Sequence, residues 1–70
     1  MMKALTAKFE TVEAARNAQE DLIDVGYPNE SLFLDRANVE LKVMASAEGV
    51  GEARELLGRH HPQEIREREA

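Results

Sequence analysis

The chain has 70 residues, with nine Lys and Arg against fourteen Asp and Glu for a formal net charge of −5. That length supports one domain, residues 1–70, whose core supplies only about 3–5 kcal/mol of net stability, and the acidic balance makes nucleic acid an unlikely partner. The absence of Cys removes disulfides, thiolate zinc sites and cysteine nucleophiles, and no apolar run approaches the roughly 20 residues of a membrane span, so a cytoplasmic protein without membrane partners is expected.

Met1-Met2-Lys3 leads into a strand pattern and not into a signal-peptide apolar region. From Lys3 to Phe9 the residues alternate, with Leu5, Ala7 and Phe9 on one side and Ala4, Thr6 and Lys8 on the other, which predicts a half-buried strand. Thr11 offers a hydroxyl to the first free amides of a helix, and Glu13 suits the positive end of its dipole. Val12, Ala15, Ala18, Leu22 and Ile23 recur at three- and four-residue steps, so this helix has an apolar stripe rich in Ala that permits close packing on a sheet. Gly26 supplies a left-handed C-cap and Pro28 prevents continuation, placing the helix end near Val25.

Leu32-Phe33-Leu34 makes a short strand that pairs with Val39 to Ser46, where Val39, Leu41, Val43 and Ala45 share the buried face. If Leu32 and Leu34 share that face, opposed residues have numbers of opposite parity and the hairpin loop holds an even number of residues. Ala37-Asn38 alone or Asp35 to Asn38 both satisfy this, and either leaves Phe33 on the outer face. Ser46 can cap a second helix with apolar positions Val50, Ala53, Leu56 and Leu57, running to about Arg59 or His60 before Pro62. Gly49 and Gly51 weaken its first turn, which should fray. Gln63 to Arg68, with Ile65 its strong apolar residue, fits a charged edge strand.

The order strand, helix, strand, strand, helix, strand predicts an α+β, ferredoxin-like βαββαβ two-layer sandwich. Right-handed crossovers place both helices on one face of a four-stranded antiparallel sheet, with strands one and three in the middle. Several residues also carry a family likeness. Lys8-Phe9-Glu10-Thr11-Val12-Glu13-Ala14-Ala15 enters the first helix, Gly26-Tyr27-Pro28 leaves it, and Glu52-Ala53-Arg54-Glu55-Leu56-Leu57 with His60 forms the second. The chain resembles the bacterial heat-induced general-stress-protein domain in a short form. Longer relatives carry a glycine-rich apolar insertion between the second and third strands, which Asp35 to Asn38 replaces here. The resemblance implies a stress-related setting and brings no catalytic residues with it.

The residues with chemistry to offer are sparse. His60 and His61 are the only histidines; neighbours on a helix diverge by about 100 degrees, and a metal site needs about three or four converging ligands, so a helix-terminal role is expected and no metal or cofactor is assigned. The carboxylate pairs Glu20-Asp21 and Glu52-Glu55 fall on faces expected to be solvated, so no acid and base are assigned and no enzymatic activity is expected. The first strand-to-helix loop, Glu10-Thr11, has neither the thiols of a metallochaperone nor the Gly-rich phosphate cradle of an acylphosphatase-like site.

What remains is the sheet face without helices, carrying Thr6, Lys8, Phe33, Glu40, Lys42 and Met44. RNA-recognition motifs present aromatics on their central strands, and here neither central strand does. The expected function is therefore a non-enzymatic protein-association module, with a homodimer formed through those six residues and Lys42 paired to Glu40 of the other copy. A small-molecule-sensing regulatory module, or a weak RNA binder using Phe33 with Lys8, Lys42, Arg66 and Arg68, are the alternatives.

Overall fold

The computed structural model describes residues 1–69, so the last residue of the expected domain, Ala70, lies outside it. Its elements run β1 (Met2–Lys8), α1 (Val12–Asp24), a single 3-10 turn (Asn29–Ser31), β2 (Leu32–Asp35), β3 (Glu40–Ser46), α2 (Val50–Gly58) and β4 (Glu64–Glu69). The strands form one antiparallel sheet in the order β2-β3-β1-β4, and the fold is the ferredoxin-like sandwich.

Alternation decides which side of the sheet is covered. Leu5, Ala7, Leu41 and Val43 are wholly buried, and Ala45 nearly so, while the intervening residues of the same strands are not buried. The helices close over this row with Ala15, Ala18 and Leu22 from α1 and Ala53, Leu56 and Leu57 from α2. Alanine at these helix positions lets the backbones approach the sheet without displacing the leucines, as interior packing near crystal density requires. Phe9, just beyond β1, is the largest fully enclosed side chain. Its amide donates to the Val39 carbonyl at 2.9 Å, tying the end of β1 to the β2–β3 loop.

Thr11 caps α1 as expected, its hydroxyl accepting from the Ala14 amide at 3.1 Å, and Gly26 leaves the helix at φ 114. Ile23 departs from expectation and is 40% exposed, because the buried stripe runs through Ala15, Ala18 and Leu22 and the next residue is turned about 100 degrees away. The second cap is also modified. Ser46 Oγ accepts from the Gly49 amide at 3.0 Å, but this closes a separate turn, and α2 begins only at Val50. Gly49 is thus the N-cap of the observed helix, its carbonyl accepting from the Ala53 amide at 3.1 Å, and Gly51 lies inside the first turn.

The hairpin between β2 and β3 corrects the sequence reading in detail while keeping its parity. Leu32 faces Val43, Phe33 faces Lys42 and Leu34 faces Leu41, the pairing a two-residue Ala37-Asn38 turn would produce. The loop is wider, spanning residues 36–39, so Val39 is not the first residue of β3. A tight two-residue hairpin turn favours positive φ at its centre, which Ala resists. Instead Asp35 accepts from both the backbone and side-chain nitrogens of Asn38, at 3.2 and 2.9 Å, and Val39 takes φ 55. β4, one residue later than expected, pairs along β1 with Ile65 opposite Ala7 and packed against the core.

Candidate functional site

The uncovered sheet face can be written out as rows from the strand registers. Asp35, Glu40, Lys8 and Glu64 lie side by side across β2, β3, β1 and β4. The next row is Phe33, Lys42, Thr6 and Arg66, and the one after it holds Met44, Ala4 and Arg68. All six residues expected at an interface, Thr6, Lys8, Phe33, Glu40, Lys42 and Met44, therefore share this face. They are not distributed at random: three of the four residues in the first row are acidic, and the second row is basic with one aromatic.

Local contacts sort these side chains further. Phe33 is 60% exposed on edge strand β2, with the Lys42 ammonium 5.8 Å from its ring centre, within the range of a cation–π contact. Lys8 Nζ donates to the Asn38 carbonyl at 3.0 Å. Glu40 is committed within the chain, accepting from Arg66 at 3.0 Å with its side chain only 13% exposed, while Glu64 lies 3.4 Å from Arg66 on the other side. The expected pairing of Lys42 with Glu40 of a second copy would have to compete with Arg66. Side-chain and then backbone hydrogen bonds from Asn38 hold the Asp35 carboxyl below the usual carboxylate range, assisted by Lys42.

Thr6, Glu40, Lys42, Arg66 and Arg68 line a shallow concavity of about 220 Å³ at the centre of the face. Among the described residues neither Lys42 nor Arg68 has a carboxylate within ion-pair distance. A larger, more apolar groove of about 350 Å³ lies beside the end of β3, where β2 is too short to follow, and is bounded by Met2, Val25, Tyr27, Pro28, Met44 and Glu52 among others. Tyr27 anchors it: its hydroxyl donates to the Gly49 carbonyl at 3.3 Å, and burial, then the nearby Glu52, raises the phenol above its usual range.

No protein-family model, curated protein or solved structure matches this chain. The functional reading thus rests on geometry, and the histidines are part of that geometry. His60 Nε2 lies 2.6 Å from Asp21 Oδ2, and since a carboxylate oxygen accepts, the ring nitrogen donates. This contact joins the residues after α2 to the last turns of α1, so Asp21 is not simply part of a solvated face and His60 does more than end its helix. The two residues stand 39 positions apart, and nothing in the local sequence of either marks the pairing. His61, by contrast, is exposed with φ 55. Among the described residues no group of three or more His, Cys, Asp or Glu is placed to hold a metal ion, and no helix is long and apolar enough to cross a membrane.

Proposed function

We propose that this chain is a non-enzymatic association module that pairs with a second copy of itself through the uncovered sheet face. The observation that carries the reading is the acidic row lying directly beside the basic one. A two-fold axis running across the strands, midway between these rows, lays each acidic row over the basic row of the other copy and each strand antiparallel to its equivalent. Glu64 then meets the partner's Arg66, and Phe33 lies beside the axis with its partner equivalent nearby. Such an isologous contact satisfies both copies at once.

Size sets the strength. Four strands roughly 4.8 Å apart, with about six residues rising roughly 3.4 Å each, offer a face of about 400 Å², half the area per partner of a standard stable interface. The dimer is accordingly weak, dependent on concentration and weakened by salt. The resemblance to the heat-induced general-stress-protein domain adds the proposal of a stress-related setting, in which association would vary with the amount of protein made.

Sedimentation of wild type and Phe33→Glu tests the reading. A concentration-dependent dimer that becomes monomeric on substitution is expected, because the new carboxylates sit near each other and near the acidic rows. A wild type that stays monomeric at hundreds of micromolar overturns it.

A further inference from the structure

We infer that the concavity at the centre of the open sheet face is a binding site for a compact oxyanion of the phosphate class, such as pyrophosphate or the phosphate group of a small phosphomonoester. The lining is Thr6, Glu40, Lys42, Arg66 and Arg68. Three cations in the lining face Glu40 among them and Glu64 beside Arg66, so the site keeps about one positive charge on a chain whose net charge is −5. The local sign is opposite to the global one, so the segregation of bases that an acidic chain needs for anion binding is present here.

The geometry of the donors supports the same class. Arg66 and Arg68 stand two positions apart on one face of β4, roughly 7 Å between α-carbons, and Thr6 lies in the row of Arg66 between it and Lys42. Two planar guanidinium forks, an ammonium and a hydroxyl thus surround a tetrahedral oxyanion from three strands, the donor set suited to phosphate oxygens. Part of the site is already ordered: Glu40 and Glu64 hold Arg66 from two sides, and Lys42 is placed over the Phe33 ring. Neither Lys42 nor Arg68 has a carboxylate partner among the described ion pairs, so theirs are the charges a ligand would answer first. A shallow volume of about 220 Å³ accommodates a phosphate group with its substituent directed outward.

This site stands on its own lining and does not require that two copies pair. Since Lys42 and Arg66 lie in the row a second copy would cover, the test is run at low micromolar protein, where a weak dimer is dissociated. Amide and side-chain NMR shifts of the intact chain are followed on adding inorganic phosphate and pyrophosphate, with sodium chloride at matched ionic strength as the control. The expected result is a saturating response confined to Thr6, Lys42, Arg66 and Arg68, stronger for pyrophosphate, and weakened about tenfold or more by Arg68→Gln and by Lys42→Gln, both exposed substitutions. Linear shifts reproduced by chloride, or spread equally over Lys3, Arg16 and Arg36, overturn the proposal. So does a single-stranded oligonucleotide that binds while both inorganic anions leave the four residues unmoved, which would make the face a nucleic-acid surface.

Discussion

Replacing Leu41 by Ala tests the strand parity on which the whole arrangement depends. Leu41 is wholly buried at the centre of β3, opposite Ala7 on β1 and Leu34 on β2. Three carbon groups leave the core, at about 0.8 kcal/mol each, for a transfer loss of about 2.4 kcal/mol. The void is slow to close, because nearby core positions on β1 and α1 include Ala7, Ala15 and Ala18, which have no side-chain length with which to fill it. A residual cavity of roughly 60 Å³ at about 24 cal/mol per Å³ adds about 1.4 kcal/mol, for a total of about 4 kcal/mol. Since a core of this size supplies only about 3–5 kcal/mol, the variant should be largely unfolded at room temperature. Urea denaturation followed by far-ultraviolet circular dichroism measures this, with Met44→Ala as the control in the same strand but on the open face, expected to cost less than about 1 kcal/mol. An unchanged midpoint for Leu41→Ala, or a larger loss for Met44→Ala, would refute the assignment of faces.

Three other outcomes follow from particular residues. Tyr27 is the one tyrosine and there is no Trp, so its ionisation can be followed cleanly by ultraviolet absorbance. Burial and Glu52 raise its folded pKa above the unfolded value, so its contribution is fully present below pH 10.0 and is lost as pH rises through the folded pKa. A native-state midpoint at that of free tyrosine would contradict the geometry, as would a Tyr27→Phe variant that loses none of the expected 0.5–1.5 kcal/mol, roughly, for its hydrogen bond to Gly49. Gly26→Ala should cost about 1–2 kcal/mol through backbone strain alone, since an added β-carbon there meets nothing within 4 Å, whereas His61→Gly should gain about 0.5–1 kcal/mol by relieving φ 55; thermal melts that move in the opposite directions would reject this account. Deletion from Gln63 removes the partner of one whole edge of β1 together with Ile65, and should abolish cooperative melting; a truncated chain with a native-like transition would show β4 to be dispensable.

Period-two alternation made the sheet legible before any coordinates, since moving Leu41 or Leu5 by one position would put every apolar side chain of the strand into water. The six residues of the open face followed from the same parity. What alternation could not convey was how those six are committed. Glu40 takes Arg66 from β4 as its partner, and that choice depends on side-chain reach across the β1 strand lying between them. Val39 was misread because its β-branched, apolar side chain fits a strand, while its backbone is set by the Asp35 and Asn38 contacts and by the Phe9 amide. The Asp21 and His60 side chains, and the Tyr27 hydroxyl with the Gly49 carbonyl, join separate elements through contacts that the local sequence of neither partner marks.

The placement of β1 between β3 and β4 also constrains how the protein is made. A ribosome delivers β1 first, but its two sheet neighbours come from residues 40–46 and 64–69, so one edge of the central strand waits for the last element of the order. Until β4 is made, the chain can at most complete the β2–β3 hairpin and then α2 around an unfinished sheet, with the backbone groups along one edge of β1 open to any passing extended segment. Folding that depends on such distant pairings is slow for the chain's length, since loop closure is paid before the contacts that reward it. The charges of Glu64, Arg66, Glu67 and Arg68 keep this closing segment hydrated until it docks, so the last partner of β1 reaches the sheet without offering an apolar edge of its own.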